Sequence, residues 1–109
     1  MEKQRNTIKV IVKEPGKAMS KERIPNTLEA FQKVVGGPIE ALRISWKPEI
    51  LLICNEEGKI SGLTPNFILR DDIIVGPAVF CGVREEEFAD CPVDTSELVG
   101  IIPCLQIDG

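Results

Sequence analysis

The fold of this chain is decided by residues 50–70, ILLICNEEGKISGLTPNFILR. The apolar run 50–54 is typical of a central strand that is buried on both faces. Residues 55–58, Asn-Glu-Glu-Gly, predict a tight turn, and residues 59–63 are expected to return as a second strand. Residues 64–69 predict a short helix, because threonine is a good cap and proline suits the first helical position. The stretch therefore predicts a hairpin followed by a helix.

Upstream of this stretch, the sequence predicts further strands that pack beside it. Residues 7–13 alternate between apolar and polar side chains, which indicates a half-buried strand. Residues 14–17, Glu-Pro-Gly-Lys, predict a turn, and residues 18–24 are expected to return as a strand. Residues 39–46 predict another strand, with these side chains on one side: Leu42, Ile44 and Trp46.

The clearest helix signal lies between these strands, at residues 26–35. Asn26 is expected to cap the helix, and Glu29 stands three residues later, where a capping box requires it. Gly36 and Gly37 predict the end of the helix, because glycine adopts the left-handed conformation without steric penalty.

Downstream of residue 70, the sequence predicts one long strand and a closing helix. The apolar stretch 73–83 is interrupted at Pro77, which indicates an edge position or a bulge because proline donates no ladder hydrogen bond. Residues 84–90 are charged and predict a loop. Residues 94–102 open with Asp-Thr-Ser-Glu, a capping-box pattern, and predict a short helix.

Together these elements predict an α+β fold, a two-layer domain with a mostly antiparallel sheet and helices packed on one face. The predicted order is β-β-α-β-β-β-α-β-α, with short turns that favour antiparallel pairing. The length fits a single domain over residues 1–109, with a core at about 7–103 and loose ends at 1–6 and 104–109.

The composition and the net charge of the chain argue against two classes of binding partner, membranes and nucleic acids. Hydrophobic residues make up 43% and charged residues 28% of the chain, as in an ordinary globular domain. No apolar run is long enough to span a bilayer, and the N-terminus lacks the apolar segment of a secretory signal, so we expect a cytoplasmic protein without a membrane partner. The net charge of −4 argues against nucleic acid, whose binding depends on Lys and Arg.

The four cysteines and the absence of histidine restrict the chemistry of any site. Cys54 and Cys81 lie in apolar strand patterns, where cysteine behaves as a small hydrophobic side chain. We expect buried, inert thiols, with a disulfide and a metal or catalytic role as the alternatives. The spacing of the cysteines does not fit a zinc site, and both Cys-His and Ser-His-Asp arrangements need histidine. We therefore expect no metal and no cofactor.

One set of polar residues near the predicted hairpin is a candidate ligand site. It consists of Asn55, Glu56, Glu57, Asn66 and Arg70. Asn66 and Arg70 are four residues apart, so they would share a face of the predicted helix. The alternative interpretation is turn chemistry together with a solvated or ion-paired arginine.

Four segments carry a resemblance to a known family: residues 9–17, 26–37, 50–66 and 71–82. The most specific parts are the CNEEGK turn and the GLTPN motif. On these segments the chain is similar to an uncharacterised family of bacteria, phages and plasmids, filed as a domain of unknown function, number thirty-eight forty-six. The similarity covers roughly residues 8–88, and the family commonly has proline where this chain has Thr64. The resemblance implies a fold and a mobile-element setting, but no catalytic residues.

Two hypotheses about function follow from these observations. The first is a non-enzymatic interaction module that binds another protein or itself, through an apolar patch at Trp46 or a strand edge near Pro77. The alternative is a small-molecule or nucleotide-binding domain with its polar site in the 55–70 segment. The lack of histidine, of a phosphate loop and of a metal-spaced cluster favours the first hypothesis, so we predict that the protein is not an enzyme.

Overall fold

The computed structural model describes residues 6–105, and these form an α+β fold with a mostly antiparallel sheet, which confirms the predicted fold class. The elements in chain order are β1 (Thr7–Lys13), β2 (Ser20–Pro25), α1 (Leu28–Val35), β3 (Ile39–Trp46), β4 (Glu49–Asn55), β5 (Pro65–Leu69), β6 (Asp72–Val75), β7 (Ala78–Arg84), β8 (Glu87–Ala89), α2 (Thr95–Ile101) and a 3-10 helix (Pro103–Leu105). The main sheet has the order β2-β1-β7-β4-β3, and β8 also pairs with β7. A separate two-stranded sheet is formed by β5 and β6. β2 and β3 are therefore the edges of the main sheet.

The inner strands of the main sheet bury side chains on both faces. In β7, Ala78 and Phe80 join one apolar cluster, whereas Val79 and Cys81 join another. The side chains of β4 divide between the same two clusters. Successive residues of a strand point to opposite faces, so the continuous apolar run 50–54 reflects a strand that is covered on both sides.

The two helices cover opposite faces of the sheet, so the prediction that helices pack on one face of a two-layer domain is wrong. α1 inserts Phe31 and Val35 into the cluster that contains Val79. α2 inserts Leu98 into the other cluster, together with Phe67 of the β5–β6 hairpin. We call these the α1 face and the hairpin face. A sheet that is apolar on both sides needs cover on both, and a third layer results.

Residues 59–69 depart furthest from the predicted order of elements. Residues 59–63 form turns instead of a returning strand, with the Leu63 N–H donating to Gly58 O at 2.9 Å. Residues 65–69 form β5 and not a helix. Phe67 is buried while Ile68 is exposed, which is the period of two of a strand. Packing of this alternating face on the core decides the structure over the local helix-start signal of the Thr-Pro dipeptide.

The predicted long strand 73–83 consists of two strands, β6 and β7, separated at Gly76-Pro77. Gly76 has a φ of +76°, and a Cβ at this residue would lie 2.7 Å from Leu63 Cδ1. The chain leaves the β5–β6 hairpin here and enters the middle of the main sheet. Pro77 therefore precedes a central strand, and the prediction of a strand edge or bulge at this residue is wrong.

The helix ends are set by local hydrogen bonds. α1 is capped by Thr27, whose Oγ1 accepts a first-turn backbone N–H at 3.1 Å, and not by Asn26 as predicted. Asn26 instead donates its side-chain amide to Phe88 O at 2.9 Å. α2 begins with the predicted capping box, formed by Asp94 and Glu97.

β8 shares one side of β7 with β1. β1 pairs with β7 through residues 11–13, and β8 takes over beside residues 82–84. The chain that follows β8 runs along β1, where the Cys91 N–H donates to Lys9 O at 2.8 Å. Residues 84–90, predicted as a loop, thus contain a short strand and the turn that leads into it.

The chain ends are better packed than predicted where the structure describes them. Leu105, assigned to a loose tail, is only 1% exposed and belongs to the hairpin-face cluster. At the other end, Asn6 O accepts the Asn26 N–H at 2.7 Å. The rest of the predicted ends, residues 1–5 and 106–109, lies outside the described residues.

Candidate functional site

The five predicted ligand residues do not converge on one site. Asn66 and Arg70 lie near opposite ends of β5, because this segment is a strand and not a helix. Four residues of strand span roughly 13 Å, so Asn66 and Arg70 are too far apart to face one ligand as neighbours on a helix would. Of the five, only Asn55 and Glu56 line a cavity of about 260 Å³ beside the Lys59–Asp72 ion pair.

Asn55 connects the end of α1 to the end of β4. Its side-chain Nδ2 donates to Val35 O at 3.1 Å, and its Oδ1 accepts the Glu57 N–H at 2.7 Å. A Cβ on Gly37 would lie 2.8 Å from that Nδ2, so glycine makes room for the amide. The Asn55 side chain is 8% exposed and both of its polar atoms are bonded to backbone, which is a structural role.

Asn66 connects the β5–β6 hairpin to β1. Its Nδ2 donates to Lys13 O and to Gly76 O, both at 2.8 Å. Its Oδ1 accepts a hydrogen bond from Lys13 Nζ at 3.0 Å. The amide thus joins three segments that meet at one end of the main sheet, and its polar atoms are engaged within the fold.

Lys13, the partner of Asn66, is a buried cation that the sequence analysis missed. It is 2% exposed, and its ammonium group also donates to Glu14 O at 2.9 Å. Burial lowers the pKa of this ammonium from its ordinary value of 10.5, while the neighbouring Cys104 acts in the opposite direction. Because apolar and polar residues alternate along β1, the sequence places Lys13 on a solvent-facing side. Ile11 lies on the same side of the strand, and this apolar residue was the signal that other parts of the chain cover that side.

Glu56, Glu57 and Arg70 are exposed. Glu56 and Glu57 follow β4 directly, and Arg70 lies in the β5–β6 turn with a φ of +56°. A positive φ is uncommon in non-glycine residues, and a tight turn is one of the places where it occurs. For these three residues the structure favours the interpretation of turn chemistry with a solvated arginine.

Trp46 lies at the end of the edge strand β3, and its side chain is 77% exposed. The register of β3 against β4 shifts between Arg43 and Ser45, and this bulge adds one residue to β3. Trp46 therefore lies on the α1 face with Arg43, while Ile44 is buried on the hairpin face. The prediction that Leu42, Ile44 and Trp46 share one side is wrong for Trp46.

The Trp46 ring is held by its neighbours on β3 and β4. The Arg43 guanidinium lies 4.3 Å from the ring centroid, a cation–π contact. The same guanidinium makes an ion pair with Glu49 at 2.7 Å. Leu51 pairs with Arg43 across the strands and is half-buried on this face. The result is an exposed indole in contact with the Arg43 guanidinium, beside a partly exposed aliphatic side chain.

The cysteines are free thiols in very different environments. Cys54 and Cys81 are buried, as predicted, and burial raises the pKa of Cys54 to about 11 and that of Cys81 to about 12. Cys91 is half-buried and Cys104 is exposed, with its Sγ 2.8 Å from Ile68 O. Between residues 6 and 105, no group of three or more Cys, Asp or Glu side chains is placed to hold a metal ion.

Comparisons with known proteins give one match. A family model described as a domain of unknown function (DUF3846) matches residues 8–100. No curated protein and no solved structure matches the chain. Within the described residues, none of the helices has the length and apolar character needed to cross a bilayer.

Proposed function

The chain belongs to the DUF3846 family, whose function is not assigned, and from this premise we propose that it is a non-enzymatic interaction module that binds another protein through the β3 edge. A second copy of the chain is the first partner to test. The observation that carries the proposal is the exposed side chain of Trp46, which contacts the Arg43 guanidinium.

Exposed tryptophan is the residue type that most often anchors a protein–protein contact. The Trp46 ring offers a large apolar surface, and the contact with Arg43 holds it in place before a partner arrives. Ordering a mobile side chain on binding costs roughly 0.5–1.5 kcal/mol, and a ring that is already ordered avoids much of this cost.

The β3 backbone adds a second element to this surface. In the described chain β3 pairs with β4 on one side, and its other side is the edge of the main sheet. An exposed edge recognises an extended segment of another chain by forming further ladder hydrogen bonds. The strand edge and the indole together suit a partner strand that carries an apolar side chain to cover the ring.

The alternative function, a small-molecule or nucleotide site in the 55–70 segment, has less support. The amides of Asn55 and Asn66 are bonded to backbone atoms, and Arg70 lies at the far end of β5. The same observation supports the non-enzymatic part of the proposal, since the polar groups that would act on a substrate stabilise the fold instead. The free thiols are the form that a reducing cytoplasm maintains, which supports the proposed location. The mobile-element setting stays a prediction from the resemblance.

The test is light scattering after size exclusion, in reductant, at low and high salt. We expect a dimer that survives high salt, because an apolar contact is not screened. Trp46→Ala is expected to convert it to a monomer, while Ile60→Ala is the matched control. Ile60 is 90% exposed and lines a cavity with Glu40 and Leu42, near the end of β3 that is far from Trp46. Its replacement is therefore expected to leave a dimer that is built around the ring intact.

The outcomes separate the parts of the proposal. Equal dimerisation of wild type and Trp46→Ala would show that the ring is not in the interface. A wild-type monomer at all concentrations would rule out self-association and leave a different protein as the partner. Trp46 is the only tryptophan and the chain has no tyrosine, so a blue shift of the intrinsic fluorescence then reports whether a candidate partner covers the ring.

A further inference from the structure

A groove of about 420 Å³ lies on the hairpin face of the main sheet, between the β1–β2 ribbon and residues 91–94. One wall is formed by Lys9, Lys21 and Arg23, which project from the two strands. Pro92 and Val93 supply its apolar lining. The volume falls in the range of small-ligand sites, which combine apolar walls with a few placed polar groups.

The register of the ribbon places the three cations on one face. Lys9 is the direct cross-strand partner of Arg23, and Lys21 is the partner of Ile11. Directly opposite residues in an antiparallel pair point to the same side, and residues two apart along a strand do as well. Lys9, Lys21 and Arg23 therefore line the same groove, in a chain whose net charge is −4.

The Lys9–Arg23 pair is electrostatically unfavourable as it stands. Like charges directly opposite each other across two strands destabilise the pairing. Arg23 Nη1 donates to Thr7 Oγ1 at 3.1 Å, and this neutral hydroxyl does not offset the guanidinium charge. Among residues 6–105, neither Lys9 nor Arg23 forms a side-chain ion pair, although the Asp90 carboxylate accepts the Lys9 backbone N–H at 2.8 Å and offsets part of the positive charge. An anion placed between the two cations would remove this repulsion.

Lys21, at the other end of the groove, has a carboxylate neighbour. The pKa of Asp94 is lowered by the hydrogen bond from the Glu97 N–H, by that from Ser96, and further by the charge of Lys21. The two ends of the groove therefore differ. The Lys9–Arg23 end, with two cations, keeps a net positive charge for a ligand, whereas a single cation, Lys21, faces Asp94 at the other end.

We propose that this groove binds a small ligand with one anionic head group, a phosphate or a carboxylate, and a flat apolar body. The head group lies between Lys9 and Arg23, and the apolar body lies over Pro92 and Val93. This site is separate from the β3 edge, since β2 and β3 are opposite edges of the main sheet. The proposal therefore holds or fails independently of the interaction function.

Amide chemical shifts measured during titration test the proposal with four probes. Phenyl phosphate carries both the head group and the ring, inorganic phosphate lacks the ring, phenol lacks the charge, and benzoate replaces phosphate by carboxylate. We expect saturable shifts at residues that line the groove with phenyl phosphate, weaker binding with inorganic phosphate, and none with phenol. The tighter of phenyl phosphate and benzoate identifies the head-group class.

A pair of double variants with equal change in net charge separates the groove from a general charge effect. Lys9→Gln with Arg23→Gln is expected to weaken phenyl phosphate binding by at least about tenfold, because two charged donors are lost. Lys17→Gln with Lys33→Gln alters exposed lysines outside the groove and is expected to leave the affinity unchanged. The ligand-free urea midpoint of the first variant is expected not to fall, which shows that it is folded.

Three results would overturn the proposal. The first is the absence of saturable shifts at the groove for both phenyl phosphate and benzoate. The second is an equal loss of affinity in the two double variants, which would indicate long-range attraction only. The third is equal binding of phenol and phenyl phosphate, which would show that the cations take no part.

Discussion

The two edge strands of the main sheet, β3 and β2, occupy equivalent positions and are held in different ways. β3 buries Ile44, and Ile39 and Leu42 are half-buried. In β2 only Ile24 is half-buried and the other side chains are exposed. β3 is therefore anchored by side-chain packing on the core, whereas β2 depends mostly on its backbone hydrogen bonds to β1.

The two edges also differ in the surface that they offer. β2 presents a run of charges at Lys21, Glu22 and Arg23, and such charges prevent pairing with another strand. β3 ends in the exposed ring of Trp46. One sheet therefore presents two different edges, a charged one at β2 and an aromatic one at β3. Our two proposals assign a small anion to the groove beside the first and another protein to the second.

The largest expected effect is at Ile44, the anchor of β3. Ile44→Ala is expected to lower the free energy of unfolding by about 2–5 kcal/mol, because it leaves a cavity in the hairpin-face core. Ile24→Ala in β2 is the matched change, and we expect a loss of about 1 kcal/mol since Ile24 is only half-buried. Urea unfolding measures both. Equal losses would show that β2 is anchored as firmly as β3, and the comparison would then fail.

The next largest effect concerns the two asparagines that brace the sheet, Asn55 on the β4 side and Asn66 on the β1 side. Replacing either by Ala is expected to lower the free energy of unfolding by about 1–3 kcal/mol, because buried backbone groups lose their partners. Asn55→Ala is expected to cost more, as Asn55 is the more buried of the two. Thermal unfolding checks this, with the exposed neighbour Glu56→Ala as control. A ligand-binding role without a structural one would leave both asparagine variants at wild-type stability.

The same comparison explains which parts of the fold could be predicted from the sequence. The bounds of β1 and β3, residues 7–13 and 39–46, agree with the prediction. Their buried side chains are apolar residues that recur along the sequence, which makes these strands recognisable. The bounds of β2 agree only loosely, 20–25 against the predicted 18–24, because an exposed strand needs no apolar pattern. The bulge in β3 has no local signal in the sequence, and it reversed the face of Trp46.

The candidate site was harder to predict than the fold. Asn55 and Asn66 were selected because polar residues in turns often bind ligands, but the same amides also satisfy buried backbone groups. The choice between these roles depends on Val35, Gly76 and Lys13, which are distant in sequence. Likewise, the pairing of Lys9 with Arg23 depends on the register of the β1–β2 ribbon. Apolar and polar residues alternate poorly over the predicted strand 18–24, so the sequence did not determine this register.

The rates at which two cysteines are modified measure how often the structure opens locally beside each edge strand. Cys91 lines the groove beside β2, and Cys54 lies in β4, next to β3 on the hairpin face. With a disulfide reagent at pH 8, we expect Cys91 to react at least about tenfold faster than Cys54 in the folded protein. Burial raises the pKa of both thiols, that of Cys54 to about 11, but access to Cys54 also requires that the core opens.

The thiol measurement uses Cys104→Ser to remove the exposed cysteine, and mass spectrometry identifies the modified residue. In urea the two thiols should react at similar rates, which controls for intrinsic reactivity. If Cys54 reacts as fast as Cys91 in the folded state, the β3 side opens as readily as the β2 side, and packing by Ile44 does not protect it.

The smallest expected effect on stability is at Arg43, which holds the indole at the β3 edge. Arg43→Gln removes the cation–π contact and the partly exposed ion pair with Glu49, and we expect a loss of no more than about 1 kcal/mol. The near-ultraviolet circular dichroism of Trp46 is nevertheless expected to fall, because the ring loses its fixed position. Arg23→Gln at the other edge leaves the indole environment intact and is the matched control. A signal that falls equally in both variants would show that Arg43 does not order the ring. A fall in Arg43→Gln alone, at almost unchanged stability, would show that Arg43 prepares the β3 edge for a partner rather than supporting the fold.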